Sequence, residues 1–185
     1  LNKHTARLLF DEPFFAGISR RVDKRASSGV PTAGVRVNPH TGYFEMLYNP
    51  EFFEGLPDEQ REGVITHEFY HLIFEHVTGR LPDELEGAMR KPTPEQASLF
   101  RLWNIATDLS INCMIGKNKL PETCCFPGVG PFEGFSEKLT AEVYYKMLKE
   151  KKEEAEGNGD PDPFGGESGQ FDDHSEWAQG ESGST

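Results

Sequence analysis

The segment ITHEFYHLIFEH, residues 65–76, holds three of the chain's six histidines and two glutamates within twelve positions. His67 to His71 match the pattern H-E-x-x-H. Residues four apart lie on the same face of a helix, so His67 and His71 can bind one metal ion. Glu68 is then placed to act as a general base on a water molecule beside the ion. The pattern predicts a hydrolytic zinc site with one Zn2+ ion.

The pattern H-E-x-x-H is specific although it is short. With six histidines and 22 glutamates among 185 residues, it is expected about 0.02 times by chance. It also lies within a predicted helix, LPDEQREGVITHEFYHLIFEHVTGR, that begins with Asp58 as N-cap and stops at Gly79. The alternative is an amphipathic helix whose histidines only form hydrogen bonds in the core. The low chance expectation favours the metal site.

His76 is a possible third ligand, but the helical geometry argues against it. On a continuing helix it lies about 180° from His67 and about 140° from His71, at about 100° per residue. The longer pattern H-E-x-x-H-x-x-G-x-x-H is not present either, because Val77 occupies its last histidine position. The third ligand is therefore expected from another element.

A second predicted helix, TPEQASLFRLWNIATDLSINCMIG (residues 93–116), supplies that ligand. It is largely apolar, yet Asn104, Asp108 and Asn112 form a polar stripe at intervals of four. A carboxylate on a buried helix face is costly unless it is paired or metal-bound, so Asp108 is the predicted third ligand. The alternative is that Asp108 orients one of the histidines through a hydrogen bond. The two asparagines are expected to support the site by hydrogen bonding.

The remaining patterns predict an α+β fold. A short helix is expected over residues 3–16, and a last helix over 139–155. Residues 33–37 (AGVRV) and 43–49 (YFEMLYN) read as two strands of a β-hairpin. The predicted fold is a small sheet or hairpin packed on the active-site helix and the second metal-ligand helix. The second strand is either an exposed edge for an extended peptide substrate or part of the core.

The C-terminal part has a different composition. Residues 150–185 contain eleven acidic side chains and two lysines, out of a net charge of -12 for the whole chain. We predict one domain over residues 1–155 and an acidic Gly/Asp/Ser-rich tail over 156–185. Phe171 and Trp177 suggest that residues 171–177 dock on the body. His174 is then a candidate catalytic residue that stabilises an oxyanion, or an inhibitor at the metal; the alternative is an ordinary tail histidine.

Composition also argues against several classes of protein. The acidic chain has no basic stripe, so nucleic-acid binding is not expected. There is no apolar run near 18 residues, so no membrane span is expected. Three cysteines, Cys113, Cys124 and Cys125, form no even-numbered disulfide framework, which favours a reducing, cytoplasmic location.

Four segments, HEFYHLIFEHVTGR, LWNIATDLSIN, LTAEVYYKML and FDDHSEW, resemble the metallopeptidase domain that often precedes a von Willebrand factor A-type domain in bacterial and phage proteins. The resemblance implies a zincin-like fold, a bacterial or phage origin, and a zinc peptidase with His67, Glu68, His71 and Asp108 in the motif positions. We expect no von Willebrand-type domain after Thr185. The function of such a domain is then expected to be absent or to be supplied in trans by another chain.

Two main functions are predicted for the site, and a metallohydrolase that acts on something other than a peptide is a third possibility. The first is zinc-dependent hydrolysis of peptide bonds in a protein or peptide substrate, with Glu68 as general base. The second is a zinc-stabilised structural or interaction module without turnover, part of a larger assembly and docked through its acidic tail. A metal with an open coordination position would indicate the enzyme, and a closed site the structural module.

Overall fold

The computed structural model describes residues 1–38, 40–88 and 91–165. The helices in these residues are α1 (Asn2–Asp11), α2 (Phe14–Ser19), α3 (Pro50–Gly55), α4 (Asp58–Ile73), α5 (Pro94–Ile115) and α6 (Ala141–Asn158). The strands are β1 (Val22–Ala26), β2 (Ala33–Val37) and β3 (Phe44–Tyr48). His174 and the predicted docking segment 171–177 lie outside the described residues, and the division into residues 1–155 and 156–185 stays a prediction.

The predicted α+β class and the predicted hairpin are confirmed. β2 and β3 pair antiparallel, with Val35 opposite Met46, and both side chains are buried. The backbone N–H of Asn38 donates to the carbonyl of Tyr43 and closes the connection at 2.8 Å. Gly42 has φ +71°, a conformation that side chains with a Cβ rarely adopt. The turn residues therefore set the register of the hairpin.

Of the two alternatives for YFEMLYN, the exposed sheet edge is wrong, and the strand is part of the interior of the sheet. β1 pairs parallel with β3, so the strand order is β1-β3-β2 and β3 is central. The sequence did not indicate β1, because only Val22 of its five residues is buried and Asp23, Lys24 and Arg25 follow it. The hydrogen-bonding groups of β3 are used on both sides. A peptide that adds to this sheet would have to pair with β1 or β2.

The N-terminal helix expected over residues 3–16 is two helices. α1 ends at Asp11 and α2 begins at Phe14, with Pro13 between them. Proline has no backbone N–H and its ring clashes with the preceding turn, so the helix breaks there. Leu8 and Phe15 are both buried and pack into the same core on either side of the break.

Helix α4 runs between the sheet and α5. Pro57 occupies its N-cap, so Asp58 is the first helical residue and not the cap. A Cβ on Gly63 would lie 1.7 Å from the carbonyl oxygen of Lys119. Only glycine at this position therefore allows the backbone at Lys119 to pack this closely against α4. The helix ends at Ile73, six residues before the stop expected at Gly79.

Helix α5 follows the sequence prediction closely. Thr93 and Gln96 form the expected capping box, with hydrogen bonds of 3.0 and 3.2 Å, and Pro94 is the first helical residue. Gly116 ends the helix with φ +92°. α5 packs against both α4 and α6. Polar side chains in its middle therefore lie deep in the protein.

The core is continuous from the sheet through α4 and α5 to α6. Its fully buried large side chains include Met46, Ile65, Phe69, Leu102, Trp103, Leu109, Tyr144 and Leu148. Within residues 1–38, 40–88 and 91–165, no helix combines the length and apolarity that a membrane span needs.

Candidate metal centre

His67, His71 and Asp108, the three predicted ligands, meet between α4 and α5. The two histidine Nε2 atoms are 2.9 Å apart. Oδ1 of Asp108 lies 3.5 Å from Nε2 of His67 and 3.3 Å from Nε2 of His71. All three residues are 0% exposed. We call these three side chains the donor cluster.

The donor cluster fits a single metal ion. Bonds of about 2.0–2.1 Å at tetrahedral angles separate ligand atoms by about 3.3 Å. Both distances from Asp108 are close to that value. The separation of the two Nε2 atoms corresponds to a narrower angle of about 90° at the same bond length. Two imidazoles and one carboxylate are a donor set that catalytic zinc sites use.

Nδ1 of His67, the ring nitrogen outside the donor cluster, is held by a residue of α5. Nδ1 of His67 lies 2.9 Å from Oδ1 of Asn112, whose Nδ2 donates to the carbonyl of Cys125 at 2.9 Å. Because the amide nitrogen of Asn112 is used by that carbonyl, its oxygen faces His67, and Nδ1 of His67 is the donor. The lone pair of Nε2 then points into the donor cluster. This is the supporting role expected of Asn112.

The other supporting role, expected of Asn104, is not seen. Its side-chain oxygen is buried and accepts no hydrogen bond from the residues that the structure describes. Asn104 lies one turn before Asp108 on α5, so the polar stripe is present. The side-chain oxygen of Asn104 accepts no hydrogen bond from the histidines.

Glu68, the predicted general base, is also fully buried. It directly follows His67 in the middle of α4. An ionised carboxylate removed from water requires a positive charge or hydrogen-bond donors near it. A cation at the donor cluster, which the preceding residue helps to form, would lower the cost of keeping Glu68 ionised.

His76 is not one of the converging donors, but its predicted position was wrong. The expectation assumed that the helix continues through residue 76. The helix ends at Ile73, the chain turns back, and Nδ1 of His76 lies 3.3 Å from Nδ1 of His71. This contact is on the side of the His71 ring away from Asp108.

The loop after α5 reaches the surroundings of the donor cluster through Cys125. Leu120, Cys124, Cys125 and Phe126 are all buried, and Cys125 is held by the bond to Asn112. Burial raises the pKa of the Cys125 thiol well above its usual value, and the negative charge of Asp108 raises it further. Cys125 therefore stays a neutral thiol. The three cysteines form no disulfide.

Two surface grooves lie elsewhere on the described part of the chain. The first, about 480 Å³, lies between residues 80–84 and α6, and we call it the α6 groove. Its lining includes Arg80, Glu84, Trp103, Glu142, Tyr145 and Lys149. The second, about 460 Å³, is lined by residues of α1, α2, α4 and α5 that include Phe14, Tyr70 and Met114. Neither groove is lined by a member of the donor cluster.

A family model described as "Putative metallopeptidase domain" matches residues 1–184. The chain belongs to this metallopeptidase-domain family. No curated protein and no solved structure matches it. Membership indicates a peptidase in general terms, and the buried donor cluster indicates a metal ion. A neighbouring von Willebrand-type domain and a zincin-like fold stay predictions.

Two contacts in this metallopeptidase domain were missed from the sequence. The carbonyl of Cys125, which orients Asn112, lies in a Gly- and Pro-rich loop and carries no sequence signal. The contact of His76 had a signal, since it is the third histidine of the segment, but using it required knowing where α4 ends. His174 lies outside the described residues, so its proposed role is untested.

Proposed function

We propose that this chain is a zinc-dependent peptidase that hydrolyses peptide bonds in a protein or peptide substrate. His67, His71 and Asp108 would hold one zinc ion, and Glu68 would act as general base. The observation that carries the proposal is the donor cluster itself: three buried ligand atoms from two helices, all within 4.8 Å of one another. Membership of the metallopeptidase-domain family supports it.

Each residue has a separate task. A bound zinc ion would supply Lewis-acid chemistry, polarising the scissile carbonyl and making water more acidic. The histidines offer neutral Nε2 atoms, and Asp108 offers one negative charge. A carboxylate oxygen of Glu68 takes a proton from the attacking water and delivers it to the amide nitrogen that leaves. The surrounding core keeps bulk water away from these groups.

The complete burial of the site also favours the second candidate, a structural metal module. His67, Glu68, His71 and Asp108 are each 0% exposed, so a substrate carbonyl cannot contact Glu68 unless the structure around the site opens. A structural zinc site is closed, whereas a catalytic one keeps a position for water or substrate. Binding of a small hydroxamate to the zinc-loaded protein separates the two: the peptidase binds it, and the structural module does not.

The decisive variant is Glu68→Gln, which removes the proton acceptor with little change in volume. The zinc-loaded protein is incubated with a peptide library, and new termini are identified by mass spectrometry. We expect Glu68→Gln to keep one zinc per chain and to lose about 10²–10⁴-fold in cleavage rate. Glu59→Gln, an exposed position on the same helix, is the control and should cleave like the parent. Unchanged cleavage by Glu68→Gln contradicts the mechanism.

A further inference from the structure

The turn that ends α4 has a specific hydrogen-bond pattern. The N–H of Glu75 donates to the carbonyl of Leu72 at 3.2 Å, and the N–H of His76 donates to the carbonyl of His71 at 3.0 Å. Glu75 has φ +57°. These two bonds around a left-handed residue form a Schellman motif. The motif brings the side chain of its last residue, His76, against the residue five positions earlier, which is His71.

The contact that this motif usually makes is hydrophobic, but here it joins two imidazoles. Nδ1 of His76 lies 3.3 Å from Nδ1 of His71, within hydrogen-bonding distance. The ring centroids are 5.4 Å apart and the rings are nearly perpendicular, at 69°. His71 therefore has one nitrogen in the donor cluster and the other against His76.

The position of His76 is fixed by packing. It is 1% exposed. The Trp103 ring lies 6.0 Å away in an edge-on arrangement, and the Phe74 ring lies 5.6 Å away. A side chain enclosed in this way has few alternative rotamers. Its ring nitrogen can therefore hold the neighbouring histidine in one orientation.

His76 is not placed to bind the same ion. The two nitrogens of an imidazole point outward from different sides of the ring. Nε2 of His71 faces Asp108 at 3.3 Å, and the contact with His76 is at Nδ1. An ion bound at Nε2 therefore lies on the far side of the His71 ring from His76.

We propose that His76 is a positioning residue for the metal centre: its Nδ1 accepts a hydrogen bond from the Nδ1–H of His71. The inference rests on the proposed function, in which Nε2 of His71 binds the metal. A neutral imidazole that binds metal through Nε2 carries its proton on Nδ1, and a histidine ligand normally donates that proton to an acceptor. His76 is that acceptor, and its own proton is then on Nε2.

The two histidines of α4 that bind the metal would thus be oriented by different hydrogen-bond acceptors. His67 donates to the side-chain oxygen of Asn112, which comes from α5. His71 donates to a residue only five positions further along its own chain. The end of α4 is therefore part of the metal site, although it contributes no ligand.

The tautomers can be measured directly in the unmodified chain. Protein labelled with ¹⁵N and loaded with zinc is examined by long-range ¹H–¹⁵N NMR, which distinguishes protonated, unprotonated and metal-bound ring nitrogens. We expect Nδ1 of His71 to be protonated and Nδ1 of His76 to be unprotonated. A proton on Nδ1 of His76 overturns the proposal. This measurement needs no variant and does not depend on activity.

Two variants separate the acceptor from the ring. His76→Asn keeps an acceptor oxygen near the place of Nδ1 but loses the ring, whereas His76→Phe keeps a ring and loses the acceptor. Zinc affinity is measured by competition with a chelator. We expect His76→Phe to lose about 10–100-fold and His76→Asn to keep most of the parent's affinity. His40→Phe, at an exposed position, is the control.

The outcomes distinguish this inference from the proposed function. If the parent binds zinc and His76→Phe binds it equally tightly, the positioning role is wrong and the metal site stands. If His76→Asn loses as much as His76→Phe, the ring packs the site but does not accept the bond, and the proposal is overturned. If the parent chain binds no zinc, the proposed function fails and this inference fails with it.

Discussion

The donor cluster and the α6 groove both bring acidic and basic side chains together, but in different surroundings. In the donor cluster, Asp108 faces two histidines with no exposure to solvent. In the α6 groove, Glu84 accepts hydrogen bonds from Lys149 at 2.6 Å and Tyr145 at 3.0 Å, with side chains that are 40% and 33% exposed in the Glu84–Lys149 pair. Trp103 lies between the two regions and contacts the rings of His76 and Tyr145.

The difference shows that burial decides what a charged group can contribute. Water screens the pair in the groove, so its contribution to stability is about 0–1 kcal/mol. The buried carboxylate cannot be solvated, and a positive charge beside it is therefore worth much more. A metal ion should accordingly stabilise the fold through the donor cluster, while changes in the groove should matter little.

The largest expected effect is that of zinc on stability. Zinc at about 1,000 times its dissociation constant adds about 4 kcal/mol to a folded state that alone binds it. For a chain of this size that raises the melting temperature by roughly 8–16 °C. Thermal unfolding is followed by circular dichroism with zinc and with a chelator. Asp108→Asn should abolish the shift, and Asp83→Asn, in the α6 groove, should preserve it. A parent chain that melts at the same temperature with and without zinc contradicts the comparison.

A smaller effect on zinc binding is expected when the hydrogen-bond partner of a metal-binding histidine is removed. Asn112→Ala takes away the oxygen that orients His67 and leaves the carbonyl of Cys125 without its donor. We expect zinc affinity to fall about 10–100-fold, the range typical of such partners. Chelator competition measures it, and Ser110→Ala on the same helix serves as control. If Asn112→Ala and Ser110→Ala bind zinc equally well, the orienting bond does not contribute.

The pair in the α6 groove should have a still smaller effect. Lys149→Met removes the ion pair to Glu84 and retains much of the apolar stem. We expect a loss of less than about 1 kcal/mol in the free energy of unfolding, measured by urea denaturation, because the pair is exposed to solvent. Zinc affinity should not change. If Lys149→Met lowered the free energy of unfolding as much as removal of zinc does, burial would not distinguish the two regions.

The smallest expected effect is the pH dependence of the stability that the Glu84–Lys149 pair contributes. The hydrogen bond from Lys149 lowers the pKa of Glu84 below its ordinary value of 4.5. A lowered carboxyl pKa stabilises the folded state above the unfolded pKa, and the contribution is lost as pH falls through the lowered value. The stability difference between the parent and Lys149→Met should therefore be constant near neutral pH and shrink below about pH 4.5. If the stability difference between the parent and Lys149→Met grew as the pH fell, its sign would contradict this prediction.

Local sequence signals accounted for much of the fold. Thr93, Pro94 and Gln96 encode the start of α5 through a capping box, which depends only on neighbouring residues. The hairpin of β2 and β3 was likewise visible from strand and turn residues. β1 was not, because its alternation is weak and its pairing with β3 depends on residues some twenty positions away.

The site was predictable to the same extent. The pairing of His67 with His71 follows from helical spacing, and Asp108 from the cost of a carboxylate in an apolar helix. The end of α4 was not predictable, because the left-handed position that stops a helix is usually glycine and here is Glu75. Gly79 therefore looked like the stop, and His76 was placed on the wrong side.

The central claim is that His67, His71 and Asp108 bind one zinc ion. Anomalous X-ray diffraction at the zinc absorption edge, on crystals of the zinc-loaded protein, tests it most directly. The account predicts a single strong peak about 2.0–2.2 Å from Nε2 of His67, Nε2 of His71 and a carboxylate oxygen of Asp108. Zinc bound at other residues, with no peak between α4 and α5, would contradict it.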